Sequence, residues 1–517
     1  MRSIRPLHGA ALSLAALLTV TACGSFASSG SSGGSANIAD RSLTIALQFT
    51  PKAGYALETD DAFVLSQVGC LETLLKYDFD SGQLQPLLAT KWTQTSPTAW
   101  DFTLREGVKF QDGTALDAAG VAFALNKLLK SATPPRAFTP KVISTVQALN
   151  ATTVRITTPT PSALLPYRVA SVNTGILSKA AYAGRSIDVV KHCTGPFTIT
   201  AQKPQQSMSL ARNDGYWGTK ATLAKAEAKF LPDGNARATQ VRTGESQVAL
   251  GLPAASIQEL QGDKSIVVSD ANTPRTTGLY MNDAKAPFTD PDVRKAIQMT
   301  VDLDAIAKTI YSGTVTPAFG PFASSEPWAP KGVQPSAKNV DAAKALLQKA
   351  GYGPGKLSLS LRAYTERPEF ADLAAVVQEQ LKQIGITVKV TMTDYAGLEP
   401  SLLNGSYDLA LLSRNHLTDI ADPAGFFEAD YTCKGTFNIS HYCDPAFDAK
   451  VAQAGAEKDP AARYAIYADL AKQLEENAVT VYLVSDKTIA ARRSGVQNFV
   501  DDPLGRYALT PQLSLTD

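Results

Sequence analysis

LSLSLRAYTERPEFADLAAVVQEQLKQIGITVKVTMTDYAGLEPSLLNGSYDLALL, residues 357–412, alternates strand-like and helix-like runs. LSLSLR (357–362) and ITVKVTMT (386–393) place apolar side chains at every second position, the period of a strand with one face buried. Between them, Glu369 to Ile384 repeats at the helical period, with Leu373, Val376, Val377, Leu381 and Ile384 on one face. Gly385 stands where a helix needs a left-handed residue to end. A shorter helix around Leu398 to Leu403 leads into YDLALL (407–412). Strands joined through helices by short links run parallel with right-handed crossovers. The segment is therefore expected to form an open α/β domain, and such domains bind ligands beyond the carboxyl ends of their strands.

Upstream, FTDPDVRKAIQMTVDLDAIAKTIYSG (288–313) reads as two helices. Pro291 sits behind Asp290 at a first helical position, where its missing N–H costs nothing. NVDAAKALLQKAGYG (339–353) adds another helix. Near the start, SLTIAL (42–47) reads as a strand and AFVLSQVGCLETLLKYD (62–78) as a helix. In LATKWTQTSPTAWDFTLREGVKFQDGTALDAAGVAFALNKLLK (88–130), Trp100, Phe102 and Leu104 alternate with polar residues as in a strand. Asp112-Gly113 supplies a turn. Asp117 stands at an N-cap, before a helix whose face is Val121, Leu125, Leu128 and Leu129. TTVRITT (152–158) alternates like an edge or sandwich strand, and ARATQVRTGESQVAL (236–250) reads as a helix running into a strand.

The residues of 88–130, LAxxW followed by WxFxLRxGVKFxDGxxL, resemble the signature block of extracellular solute-binding proteins of the peptide/nickel class, family 5. VGCLETLLKYD, CTGPF (193–197), RNDGYWG (212–218), the 288–313 helices and the 339–353 helix resemble further blocks of that family, so the likeness runs from about residue 43 to about 490. The resemblance implies the capture subunit of an ABC importer, with an α/β, periplasmic-binding-protein-like (type II), two-lobed fold and an additional subdomain. Lobe I would comprise 41–85, 190–276 and 485–517, the extra subdomain 86–189, and lobe II 277–484. The ligand would be a di- or oligopeptide, held by hinge closure and passed to a permease. An opine, a sugar, a metal chelate or a peptide signal are the alternatives.

The same resemblance nominates residues. In SRNHLTDIADPAGFF (413–427), Asp419 falls on the aspartate that grips a peptide's α-ammonium group in peptide-binding members. A desolvated amine needs such a carboxylate, and a charged hydrogen bond contributes about 1.5–3 kcal/mol. Asn415 shares this loop, and His416 replaces the tryptophan of many dipeptide binders. Ala371 stands at the position of the arginine that binds a dipeptide's carboxylate, and Arg367, one turn earlier, is the substitute. Tyr280 and Asn282 in GLYMND fall beside the cleft, and Tyr55 in the loop after the first strand.

Composition narrows the rest. A net charge of +1 with no basic run gives no nucleic-acid footprint. No H-E-x-x-H or Ser/His/Asp grouping occurs, so neither an enzyme nor a cofactor is expected. His8, His192, His416 and His441 lack close ligand spacing, which argues against a resident metal. The expected form is a monomer. Arg2 and Arg5 precede an apolar run, Ala10 to Val20, and Val20-Thr21-Ala22-Cys23 resembles a lipobox. Residues 1–22 would be a lipoprotein signal peptide, Cys23 the lipidated first residue, and 23–40 a Gly/Ser tether to the outer face of the cell membrane. Four cysteines then remain for an oxidising compartment, with three possible pairings. Cys433 and Cys443 flank a short loop and pair most simply, leaving Cys70 for Cys193. A metal site of Cys433, His441 and Cys443 is the rival, which export disfavours. If Cys23 carries lipid, Cys23→Ala is expected to move the protein from the membrane fraction to the soluble one; retention in the membrane fraction contradicts the anchor.

Overall fold

Two strands, Ile266–Met281 and Thr480–Arg493, run antiparallel along nearly their whole length. In the computed structural model, which describes residues 42–516 except positions 80 and 368, they form the middle of the largest sheet. Cys23, the signal peptide and the tether lie outside the described residues. The sheet runs in the order Ile386–Thr393, Leu357–Tyr364, Leu409–Asn415, Ile266–Met281, Thr480–Arg493, Val248–Leu250, Ser42–Leu47, Lys225–Phe230, Ser207–Arg212, Phe197–Lys203, with Thr316–Pro317 also pairing to Thr480–Arg493. Among the described residues, its two sides are therefore joined only through the long pair.

That pair is interrupted. The register breaks between Asn272 and Thr276 and again at Thr277/Gly278. Pro274 lies in the first break, and proline has no N–H to give a ladder, which confines it to bulges and edges. On one side of the break, Leu43, Ile45, Phe102, Phe197 and Leu210 belong to a first hydrophobic core. On the other, Leu279, Leu361, Leu381 and Leu411 belong to a second. A third cluster, including Tyr77, Leu164, Trp328, Phe426 and Tyr467, takes side chains from segments that also feed both cores.

The second core has the parallel strand–helix–strand order expected of 357–412. Leu357–Tyr364 pairs parallel with Ile386–Thr393 on one side and Leu409–Asn415 on the other. The helices Glu369–Lys382 and Tyr395–Leu403 form the crossovers, and Gly385 adopts φ +81° at the end of the first. Local rules hold at the helix starts too. Asp117 accepts from Gly120 N at 2.7 Å, and Asp290 accepts from Asp292 N at 2.9 Å ahead of Pro291. Such caps are each worth about 1 kcal/mol.

Two expectations change. The helix expected over 62–78 spans only Asp61–Gln67, and Leu75–Asp78 is a strand. Gly69 has φ +67°, and a Cβ there would lie 2.5 Å from Leu509 O, so the chain must turn tightly against the C-terminal segment. The strand Thr153–Thr157 is not an edge. It lies between Ala99–Leu104 and Thr145–Ala148 in a separate four-stranded sheet. Cys70 is bonded to Cys193, and Cys433 to Cys443. No described helix is long and apolar enough to cross a membrane.

Just past Met281, Asp283 is buried with neither carboxylate oxygen hydrogen-bonded, and Arg294 Nε lies 3.8 Å away. Burial pushes its pKa up to about 8, against a partial opposing pull from Arg294. A carboxyl raised in the folded state costs nothing below its unfolded value of 3.8 and progressively more as pH climbs toward 8. The melting-temperature advantage of Asp283→Asn over the parent is thus expected to widen from pH 4 to pH 8; a pH-independent difference contradicts the burial of this charge.

Candidate ligand-binding site

The strand Leu409–Asn415 ends beside the broken register, and Ser413, Arg414 and Asn415 pair with Thr277, Thr276 and Arg275. The apolar run of this strand buries Leu409 to Leu412, and the polar tail that follows projects into the space between the cores. Arg414 is the hub. Its Nε donates to Asp430 Oδ2 at 2.6 Å and its Nη2 to Asp430 Oδ1 at 2.8 Å. The same Nη2 donates to Asp419 Oδ2 at 3.0 Å. Asp430 closes the helix Pro423–Asp430, which Asp422 caps and Pro423 opens.

The other oxygen of Asp419 is taken by a cation 283 positions away in the sequence. Arg136 Nη1 donates to Asp419 Oδ1 at 3.3 Å, and its Nη2 lies 4.0 Å from Glu399. Arg136 begins the short turn Arg136–Phe138, whose Ala137 and Phe138 are buried anchors. Its side chain is 35% exposed, against 11% for Arg414 and 12% for Asp419. Burial alone would raise the Asp419 carboxyl, but Arg414 and then Arg136 outweigh it and hold its pKa below the ordinary value. Burial likewise raises Asp430, and there Arg414 only partly offsets it. Arg414 itself is held charged, well above its usual range, because Asp430 and Asp419 overcome its desolvation. Phe437 lies under both cations, its ring centre 4.4 Å from the Arg136 guanidinium carbon and 4.8 Å from that of Arg414.

A second group of charges adjoins the first through Ser413. Ser413 O accepts from Arg275 Nη1 at 2.8 Å, and Ser413 Oγ donates to Asp486 Oδ2 at 2.6 Å. Arg367 Nη2 donates to Ser413 Oγ at 3.0 Å and lies 3.6 Å from Asp486, while its Nη1 donates to Glu369 at 3.3 Å. Burial, then Arg367, pushes the Arg275 pKa down to about 10. Other segments remote in sequence also meet nearby: Arg168 pairs with Glu428 at 2.8 Å, and Arg506 donates to Leu417 O at 3.0 Å.

Of the residues nominated from sequence, Asp419, Arg367 and Asn415 fall in this region. Asn415 Oδ1 accepts from Leu417 N at 2.9 Å and shapes the loop. His416 does not join these charges. It is 2% exposed, with Nε2 2.8 Å from Glu326 Oε1 and its ring 4.8 Å from Phe322. It lies one residue past the strand, in a turn that packs its ring into the third hydrophobic cluster beside Phe322. Tyr280 and Asn282 are also interior: Tyr280 is 5% exposed in the second core, and Asn282 Nδ2 donates to Gly405 O at 2.9 Å. Tyr55 lies in the first core with φ +62°, in a loop whose N–H groups converge on Asp61. Arg136, Arg414, Asp430, Glu399 and Arg275 were not singled out from the sequence. Arg414 alone carried a signal, as a charge terminating an apolar strand two residues before His416.

Removing Arg414 would strand two buried carboxylates, which costs about 3–5 kcal/mol when a buried pair is broken on one side. Arg414→Met is expected to lose stability of that order in denaturant unfolding, and Arg414→Met/Asp430→Asn to recover part of it. A loss under about 1 kcal/mol contradicts the pairing.

Residues 83–438 match the family model described as bacterial extracellular solute-binding proteins, family 5 Middle. Over 496 residues the chain is 26% identical to the nickel-binding protein NikA of Staphylococcus aureus, spanning 96% of each chain. Over 446 residues it is 28% identical to the probable D,D-dipeptide-binding periplasmic protein DdpA of Escherichia coli, spanning 83% of this chain and 85% of that one. The crystal structure of Staphylococcus aureus NikA in complex with Ni(L-His)2 is similar with a TM-score of 0.79 at 26% identity, spanning 92% of this chain and 100% of that one. The fold is thus the periplasmic-binding-protein-like α/β fold of such proteins, and the buried charges lie at the end of the strand Leu409–Asn415, beside the broken register. The chain belongs to the family 5 bacterial extracellular solute-binding proteins, as the solute-binding component of an ABC importer.

Proposed function

We infer that the solute is a zwitterion derived from amino acids, a di- or oligopeptide foremost, that enters between Asp419 and Arg136. One observation carries this reading: Asp419 has one oxygen on the half-exposed Arg136 and the other on the buried Arg414. Arg414 is locked by Asp430, so Arg136 is the partner that can be exchanged. A ligand ammonium group takes its place on Oδ1, and the released guanidinium takes the ligand's carboxylate. Every charge stays paired, and one ion pair becomes two charge-assisted contacts. Lobe I would be 41–85, 190–276 and 485–517, lobe II 277–484, with 86–189 the extra subdomain that carries Arg136. Closure about the broken pair near Pro274 would be favoured by ligand contacts made only when both lobes engage, and the closed form would dock on the permease. A lipid on Cys23 would keep the protein at the membrane.

The likeness to NikA supports a second reading, a nickel–amino-acid complex. Its amines are bound to the metal, so it offers carboxylates without a free ammonium group and would depend on Arg136 far more than on Asp419. Mass spectrometry of what the purified protein releases on denaturation separates the readings, with an opine or sugar as further outcomes. With the recovered peptide, Asp419→Ala is expected to weaken calorimetric affinity tenfold or more, about 1.4 kcal/mol per decade. Unchanged affinity removes Asp419 from the site, and recovery of a nickel complex overturns the peptide assignment while leaving the family intact.

A further inference from the structure

We propose that Phe437 is a positioning residue of the ligand site: held by the Cys433–Cys443 loop, its ring is the shared platform that keeps Arg136 and Arg414 on the two oxygens of Asp419. Phe437 is 5% exposed, and its ring is in contact distance of both guanidinium groups at once, Arg136 from the turn Arg136–Phe138 and Arg414 from the strand Leu409–Asn415. The face of an aromatic ring attracts cations, and Arg presents a flat group that stacks on it. The ring thus works on the two cations without titrating or accepting a hydrogen bond, and it leaves both free to point at the same carboxylate.

The loop is built to hold that ring. It is closed covalently at its ends by Cys433 and Cys443. Inside, Asn438 Nδ2 donates to Thr432 O at 3.0 Å and to Tyr442 O at 2.7 Å, bracing one arm against the other. Phe437 N donates to Ala429 O at 2.9 Å, which ties the loop to the helix bearing Asp430. Gly435 is packed so tightly on Ala429 and Glu428 backbone that no side chain fits there. His441 Nε2, 3.0 Å from Leu402 O, anchors the far arm to the helix that carries Glu399. One disulfide-closed loop therefore touches the supports of Arg414, Asp430 and Glu399, and its Phe437 also touches Arg136.

The inference rests on the reading of Asp419 as a ligand contact, so the test measures both. The probes are L-Ala-L-Ala and the nickel(II)–L-histidine complex, titrated by calorimetry into the full mature chain. Phe437→Leu keeps an apolar side chain of similar size and is expected to weaken whichever probe the parent binds about tenfold. Phe437→Tyr restores the ring and is expected to return affinity to within about threefold. Cys433→Ser/Cys443→Ser is expected to weaken binding in the same direction, well below its melting temperature. Hydrogen–deuterium exchange of peptides covering 132–142 supplies an arm that needs no probe: faster exchange in Phe437→Leu, restored in Phe437→Tyr. Weakened binding in Asp419→Ala but parent-like binding and exchange in Phe437→Leu overturns the platform alone. Unchanged binding in Asp419→Ala overturns the Asp419 reading, and parent-like exchange at 132–142 in Phe437→Leu then overturns the platform as well.

Discussion

The antiparallel pair Ile266–Met281 and Thr480–Arg493 is the constraint on which the architecture depends. It is the only hydrogen-bonded ladder linking the two sides of the main sheet among the described residues. Continuous pairing would make the link stiff, and the break between Asn272 and Thr276 prevents that. Pro274 keeps the break open because it brings no donor, while its carbonyl accepts from His416 N at 2.9 Å, so no hydrogen bond is wasted there. A bulge that bends a strand pair next to a ligand site is a recurrent way of aiming side chains. Here it aims Arg275 at the end of the neighbouring strand, where the Ser413 carbonyl accepts its hydrogen bond.

The charges gathered at that point obey the rule that buried ions must be paired and hydrogen-bonded. Arg414 satisfies Asp430 bidentately and half of Asp419, and Arg136 meets the remaining demand. Such an arrangement contributes little net stability, since desolvation consumes most of the attraction. Its value is orientation. The carboxylate of Asp419 is aimed and held ionised by two cations, of which Arg136 is the more exposed.

Much of the fold was legible because it is written in local periodicity. The second core is contiguous in sequence, and its strands, helices, caps and terminal glycine follow the rules for 357–412 closely. The helix expected over 62–78 failed where a long-range demand prevailed: Gly69 turns against Leu509, and no window around residue 69 contains that information. The site was legible only in part, for the same reason. Asp419 stood out through a motif, but its partners Arg136 and Arg414 are separated by 278 positions and meet only in three dimensions. His416, Tyr280 and Asn282 lie on motif segments, yet core packing buries them away from the charge cluster.

The placement of the two cores along the chain has a consequence for how the molecule is made. Every buried residue of the second core falls between Leu279 and Val484, so it can form from one uninterrupted stretch. The first core begins at Leu43 but also needs Val496, Ala508, Leu509 and Leu513. A chain that emerges N-terminus first therefore completes this core only when its last residues arrive, although its other buried members lie between Leu43 and Val248. Contacts of such long sequence separation close slowly, because loop-closure entropy is lost before they form. Val496, Ala508, Leu509 and Leu513 thus seal a core whose other parts precede the whole of the second core in sequence.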